Sequence, residues 1–230
     1  FGPWRDTHLR VKGPAVAGLQ YNFAVDWNFM GQPLLTDNVK QWEVSDDDEV
    51  GVQLVSSGPT SRWGNILMLF LKTIGNAKKR VYIQTPYFLP TESLLKALQA
   101  AALAKVDVRI MIPRKSDSAM LRLASFSYVS ECIKAGIKIY LYNKGMLHAK
   151  TLLVDDEFCT TGSTNFDFRS FEHNFECNIL MYSQSVNKRM ADIFLADQRD
   201  CLRILPNVWR KRPVIEKVCE SVVRLLSPVL

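Results

Sequence analysis

The rhythm of apolar and polar residues changes several times along the chain, and each change marks an element. Residues 5–12 (RDTHLRVK) alternate with a period near two, which predicts a strand, and Gly13-Pro14 then opens a helix that runs to about residue 30. The polar stretch 31–49 predicts a surface linker. Three adjacent carboxylates within it, Asp46, Asp47 and Asp48, would need an ordered loop to face one ion, so they read as linker rather than as a metal site. From residue 50 onward strands and helices alternate. Strands are predicted over 50–57, 81–88, 106–112 and 137–142, and helices over 62–79, 91–105 and 116–135, with Ser116 as the last helix's N-cap and Gly136 as its stop. Such alternation gives an α/β fold, a largely parallel or mixed sheet covered by helices on both faces. LHAKTLLVDD, EFCTTGS and FEHNFECNILMY then follow one another as closely spaced strands, before two helices over about 185–204 and 213–226.

Composition narrows the class only slightly. At 230 residues and 47% hydrophobic content the chain can bury one large core or two modest ones, and a single domain with appendages is the default. The formal charge of +6 suits phosphate-bearing or membrane-surface partners, and equally an ordinary mixed-charge surface. Five cysteines, an odd number without a CxxC pair, point to a reducing compartment and to no structural metal. The most apolar run, 66–71, is broken by Lys72 and falls short of the roughly 18 residues a membrane span needs. The chain starts on Phe1 with no signal-peptide pattern, so it is expected to be a piece of a longer protein.

The chemistry concentrates at LHAKTLLVDD. His148 and Lys150 are two apart on a predicted strand, so both point to one face, while Leu147, Ala149 and Thr151 point to the other. A histidine can attack phosphorus or protonate a leaving oxygen near neutral pH, and a neighbouring lysine can hold the phosphate. Asp155 ends the strand, and six residues later Gly162-Ser163-Thr164-Asn165 supplies a turn whose hydroxyl and amide could bind phosphate oxygens without a metal. A lone HxK would read as a strand histidine beside an edge charge. The full string HxKxxxxD followed by this turn resembles the signature of the phospholipase D superfamily. That resemblance implies a mixed β-sheet sandwiched between helices and a metal-independent, cofactor-free phosphodiester transfer. In it, one motif's histidine becomes a phosphohistidine and a second motif's histidine acts as general acid, then base. His148, Lys150 and Asp155 are then the catalytic motif, Ser163 and Asn165 phosphate-binding residues, and Glu176 the carboxylate that orients the catalytic histidine. His173 has no family role and reads as a surface or turn residue.

Longer stretches narrow the resemblance. YIQTPYFLP at 82–90, the string running from Pro113 through His148, and RPVIEKVCESVVRLLSPVL at the end are similar to bacterial cardiolipin synthases, in their C-terminal part. WRDTHLRVKGPAV resembles the stretch that follows the first catalytic motif there and closes the N-terminal half. Residues 1–49 are therefore expected to be the tail of an N-terminal phospholipase D-like half plus a linker, and 50–230 a C-terminal domain with one motif. If the halves are duplicates, Asp6 corresponds to Glu176 and orients the histidine of the first, absent motif. The implied activity is a phosphatidyltransferase joining two phosphatidylglycerols into cardiolipin and glycerol, at the inner face of the bacterial plasma membrane. The implied partners are phosphatidylglycerol, the missing N-terminal half and a peripheral membrane contact. On this reading the isolated piece is inactive or weakly active. Alternatives are a phosphodiesterase or nuclease that works as a homodimer, although no aromatic-and-basic platform for bases is visible, or an inactive isolated half. Tyr87 and Phe88 read as cleft-mouth or as core residues, Lys115 and Ser118 as headgroup contacts or caps. The terminal helix reads as an interfacial anchor or a packed amphipathic helix.

Overall fold

The computed structural model describes residues 2–34 and 50–229, so Asp46, Asp47 and Asp48 lie outside the described residues. In chain order the elements begin with β1 (Trp4–Arg5), α1 (Ala15–Phe29), β2 (Gly51–Ser57), α2 (Asn65–Gly75), β3 (Arg80–Gln84), β4 (Phe88–Leu89) and α3 (Glu92–Leu103). Then come β5 (Asp107–Pro113), α4 (Ala119–Lys134), β6 (Lys138–Tyr142), β7 (Met146–Leu147), β8 (Thr151–Val154), β9 (Phe158–Gly162) and β10 (Phe166–Asp167). The rest are α5 (Phe168–Glu172), β11 (Glu176–Tyr182), α6 (Gln184–Gln198), β12 (Cys201–Arg203), α7 (Pro206–Arg210), α8 (Val214–Arg224) and a 3₁₀ turn over Ser227–Val229.

Eight strands form one mixed sheet in the order β12-β6-β5-β3-β8-β9-β11-β2. The parallel part, β3, β5 and β6, comes from the strand–helix alternation, and the close-spaced strands β8, β9 and β11 extend it antiparallel. Period two sorts the side chains of each strand onto two cores. Val81, Ile83, Val108, Ile110, Ile139, Leu141, Leu152 and Val154 join the core under α2, α3 and α4. Their neighbours Tyr82, Met111, Tyr140, Tyr142 and Leu153 join the opposite core with Phe194 of α6. Burying an aliphatic side chain of this size contributes about 1.5–3 kcal/mol. Because both faces are covered, these strands read as apolar runs and not as clean alternations. No helix among the described residues is long and apolar enough to cross a membrane.

Several boundaries shift from the sequence expectation. Helix α4 stops before Gly136 as expected, but its N-cap is Ser118, whose Oγ accepts from Leu121 N, and not Ser116. Phe171 and Glu172, expected at the start of the strand FEHNFECNILMY, instead end the short helix α5, capped by Asp167 through Ser170 N at 2.8 Å. The expected strand over 5–12 keeps alternating half-buried and exposed positions through residue 10, yet only Trp4–Arg5 pairs, in parallel with β7.

That short pairing is tightly held. Gly145 makes it sterically feasible, since a Cβ there would lie 2.0 Å from Pro3 O, and Met146 N donates to that carbonyl at 3.1 Å. The Arg5 guanidinium grips Asp197 of α6 through Nε at 2.9 Å and a second nitrogen at 2.8 Å, both side chains largely buried. Gln84 Nε2 donates to the same carboxylate at 2.8 Å, and Thr151 Oγ1 donates to Gln84 Oε1 at 3.1 Å. A polar chain thus runs from β1 through α6 to β3 and β8. Asp197→Ala would leave Arg5 without its partner and Gln84 without its acceptor. Breaking a buried pair in this way costs about 3 kcal/mol, and we expect urea unfolding to show a loss of that size, against near-zero loss for the exposed Asp192→Ala on the same helix.

Candidate active site

His148, Ala149 and Lys150 are not in a strand. They form the extended link from β7 to β8, where the chain leaves β1 and joins β3. The alternation nevertheless survives: Leu147, Ala149 and Thr151 are buried, while His148 and Lys150 are half-buried on the other side. Two backbone bonds to Arg5 O fix the link, from His148 N at 2.8 Å and Ala149 N at 3.1 Å. Thr161 Oγ1 donates to Lys150 O at 3.0 Å from β9.

The imidazole is held from two sides. Its Nδ1 lies 2.8 Å from Asp6 Oδ2, so Nδ1 carries the proton that the carboxylate accepts, and Nε2 is the ring nitrogen not engaged by Asp6. Trp4 stands against the ring with centroids 4.8 Å apart. Lys150 Nζ donates to His148 O at 2.8 Å and is 3.1 Å from Nε2 and 3.2 Å from Nδ1. Burial pulls the Lys150 ammonium below its ordinary range, against the opposing pull of Asp6, Glu176 and Asp167. Burial alone would raise Asp6, but its bonds to His148 and Thr7 N and the nearby positive charges hold its carboxyl below the ordinary range.

Glu176 does not touch His148. It is buried at the start of β11, accepting from Ser163 Oγ and, at 3.1 Å, from Asn174 Nδ2. The expected orienting assignment is therefore exchanged: Asp6, expected to serve an absent histidine, is the partner of His148. The reason is register, because the parallel pairing of β1 with β7 carries Asp6 past Leu147 to the imidazole. Ser163 is locked by this carboxylate and by Cys177 N, which donates to its Oγ at 3.0 Å. Gly162 allows that closeness, since a Cβ would lie 2.2 Å from Cys177 O. Asn165 follows, its N donating to Ser170 Oγ at 3.2 Å, and its Oδ1 is buried with no hydrogen-bond partner among the described residues.

Asp155 stands apart from the site. It adopts a left-handed φ of +50°, which turns its carboxylate toward the α2–β3 connection. There it accepts from Lys78 N at 2.9 Å, Lys79 N at 2.7 Å and Arg80 N at 3.1 Å. Asp155 thus clamps the backbone of 78–80 and does not contact His148 or Lys150. Phe88 is fully buried core, while Tyr87 is half-buried with its hydroxyl donating to Asp117 Oδ2 at 2.7 Å. Lys115 is exposed beside a groove of about 940 Å³ that Gly2, Arg114 and Arg122 also line. His173 is exposed at the end of α5.

Sequence reasoning missed Trp4, Arg5, Asn174 and Asp167. Asp167 is nearly buried, and burial followed by the charge of Glu176 pushes its carboxyl up despite its bonds to Ser170. Only its spacing to Ser170, that of a helix N-cap, was available as a signal.

A family profile described as cardiolipin synthase, PLD-like domain, matches residues 70–198. A cardiolipin synthase of Clostridium perfringens is 40% identical over 235 residues, covering 100% of this chain and 49% of that protein. One of Listeria welshimeri is 43% identical over 232 residues, covering 100% and 48%. The chain spans about half the length of the curated relatives it matches. Among solved structures, the phospholipase D family member Nuc of Salmonella typhimurium superimposes with a TM-score of 0.58 at 23% identity, covering 68% of this chain and 99% of Nuc. Phosphatidylserine synthase of Haemophilus influenzae gives 0.62 at 13% identity, covering 96% and 56%. At these identities the structures share the fold. The family match over more than half the chain, carried by the segment that holds His148, Lys150, Ser163, Asn165 and Glu176, places this chain in the family of phospholipase D-like domains of cardiolipin synthases.

Proposed function

We propose that this chain is the C-terminal half of a cardiolipin synthase, with residues 1–49 the end of the N-terminal half plus a linker and 50–230 the second phospholipase D-like domain. The observation that carries the reading is the imidazole of His148, held through Nδ1 by Asp6 and flanked by Lys150. Exposed apolar side chains along α1, Tyr21 and Phe29 among them, support the boundary, because a helix with no buried residue lacks the body it would pack on.

In the proposed reaction the histidine of the first motif attacks the phosphorus of one phosphatidylglycerol. The bond from phosphorus to the glycerol oxygen breaks, and that oxygen takes the proton from Nε2 of His148. The primary hydroxyl of a second phosphatidylglycerol then attacks phosphorus. Its proton passes to Nε2, the phosphorus–nitrogen bond breaks, and cardiolipin leaves. Asp6 stabilises the imidazolium through Nδ1, and Lys150 holds a non-bridging oxygen. Ser163 and Asn165, on the turn after β9, complete the phosphate cradle. Glu176, already oriented by Ser163 and Asn174, is the matching carboxylate for the first motif's histidine. Arg114, Lys115 and Arg122 give the acceptor's phosphate a basic groove near Gly2, two residues from Trp4. No metal or organic cofactor enters this scheme. With one motif, the chain alone is expected to turn over little or no lipid.

The reading is tested by joining this chain to the N-terminal half of a relative and supplying monomeric short-chain phosphatidylglycerol, with plasmid DNA as the competing substrate. Cardiolipin formation that falls about 10³-fold in His148→Ala and about 10²-fold in Asp6→Asn is expected. Plasmid nicking that depends on His148, without lipid turnover, would replace it with the nuclease reading.

Asp155→Ala separates clamp from catalyst. It should lower unfolding stability by about 1–2 kcal/mol and leave kcat of the folded protein within about twofold, whereas a reacting group would lose orders of magnitude.

The Asp6 carboxyl gives a pH test. Its depressed folded value means that its contribution is present above the unfolded value of 3.8 and is lost as pH falls through the folded value. Carboxyl-carbon NMR should find Asp6 titrating below 3.8 in the wild type and moving upward in His148→Ala.

A further inference from the structure

Helix α8 is set on the protein the wrong way round for a packed surface helix. Its apolar stripe, Val214, Ile215, Val218, Val222 and Leu225, is between 50% and 80% exposed. These positions are spaced three and four apart and so lie along one side. The side turned toward α4 is polar: Glu220 is buried and pairs through both oxygens with Arg212, whose guanidinium lies 3.2 Å from the centre of the Trp209 ring. Arg224, at the other end, pairs with Glu131 of α4 and stacks over Tyr128 at 4.2 Å. These charged contacts fix the rotation of the helix, so the stripe cannot turn inward without breaking the buried Arg212–Glu220 pair and the half-buried Arg224–Glu131 pair.

The surroundings indicate what covers the stripe. Between Arg203 and Arg224 the chain carries six cations and two acids; with Arg212 paired to Glu220 and Arg224 to Glu131, Arg203, Arg210, Lys211 and Lys217 remain against Glu216. Arg210 and Lys211 stand exposed immediately before α8, and Val208 of α7 adds an exposed apolar residue. A second copy of the same face would bring these cations against their own images, which argues against a symmetric dimer here. An apolar stripe rimmed by lysine and arginine matches an interfacial helix on an anionic membrane. The far end of α8 also leads back to the site. The 3₁₀ turn after it packs on α5, the helix that begins three residues beyond Asn165, and Arg224 shares a cleft with Pro90 and Phe168.

We infer that α8 lies in the headgroup plane of an anionic bilayer, its stripe among the acyl chains, and that it brings the rim of the His148 site to the lipid surface. The inference rests on the lipid reading above and names the surface that meets the membrane.

Cys219 is an exposed thiol on α8, next to Ile215 and Val222 at helical spacing, and so offers a local reporter. The chain, labelled there with an environment-sensitive fluorophore, is mixed with vesicles of equimolar phosphatidylglycerol and phosphatidylcholine, and with vesicles of phosphatidylcholine alone. The label should shift to the blue with the anionic vesicles only, and less at high salt. Val218→Asp with Val222→Asp, whose folding is checked by circular dichroism, should reduce vesicle partitioning about tenfold or more. The same pair should leave the NMR response of His148 to monomeric short-chain phosphatidylglycerol unchanged. An unshifted label or undiminished partitioning overturns the inference. So does a double variant that abolishes self-association in lipid-free buffer while vesicle binding persists, or a label protected by the N-terminal half of a relative in place of vesicles. Response of His148 to the short-chain lipid without vesicle binding removes only the docking surface, whereas response to neither removes the lipid reading as well.

Discussion

The site depends on one close approach, the laying of residues 2–6 against 145–148. It rests on the missing Cβ of Gly145, on the backbone bonds from Met146 to Pro3 O and from His148 and Ala149 to Arg5 O, and on the grip of Arg5 on Asp197. Two paired residues would be a weak ladder by themselves. The buried ion pair makes the difference, because it ties the strand to α6 and, through Gln84 and Thr151, to the central sheet. Everything distinctive about His148 follows from that placement: Asp6 on Nδ1, Trp4 on the ring face, and Nε2 left for exchange with a ligand.

The charges around Lys150 show what the arrangement favours. One half-buried ammonium faces Asp6, Glu176 and Asp167, and burial already weakens its hold on its proton. Asp167 compensates by being pushed up, toward its neutral form. A phosphodiester anion brought to this carboxylate-rich site is held better with further cations beside it. On the proposed reading those come from the histidine and lysine of the first motif, and Glu176 is the carboxylate that awaits that histidine.

The fold was readable from the sequence wherever burial on both faces imposed long apolar strands between helical segments, which is why the order from β2 to β6 emerged. It was unreadable where the chain is short of pairing partners. The alternation of 5–12 marks side-chain direction, but only Trp4 and Arg5 find a neighbour, so the strand ends early. His148 and Lys150 point as their spacing requires without lying in a strand. Asp155 lies apart from His148 and Lys150 for a local reason, since its left-handed backbone sends the carboxylate to the α2–β3 connection. The Asp6–His148 contact spans 142 positions and depends on register between distant segments, which no local pattern encodes. Resemblance named the residues, and register decided which of them touch.

That exchanged pairing has a thermodynamic consequence. If each half of a duplicated enzyme carries the carboxylate for the other half's histidine, neither imidazole is oriented until the halves meet. The free energy of their association is then also the free energy of ordering the site. In this chain the contribution from Asp6 is present because Arg5 beside it is clamped by Asp197. The reciprocal position is also prepared, since Ser163 and Asn174 hold the Glu176 carboxylate in place with no imidazole on it. Such preorganisation lowers the entropy lost when the second histidine docks, because the carboxylate is fixed before its partner arrives. On the proposed reading, a half built in this way holds both carboxylates in place before its counterpart arrives.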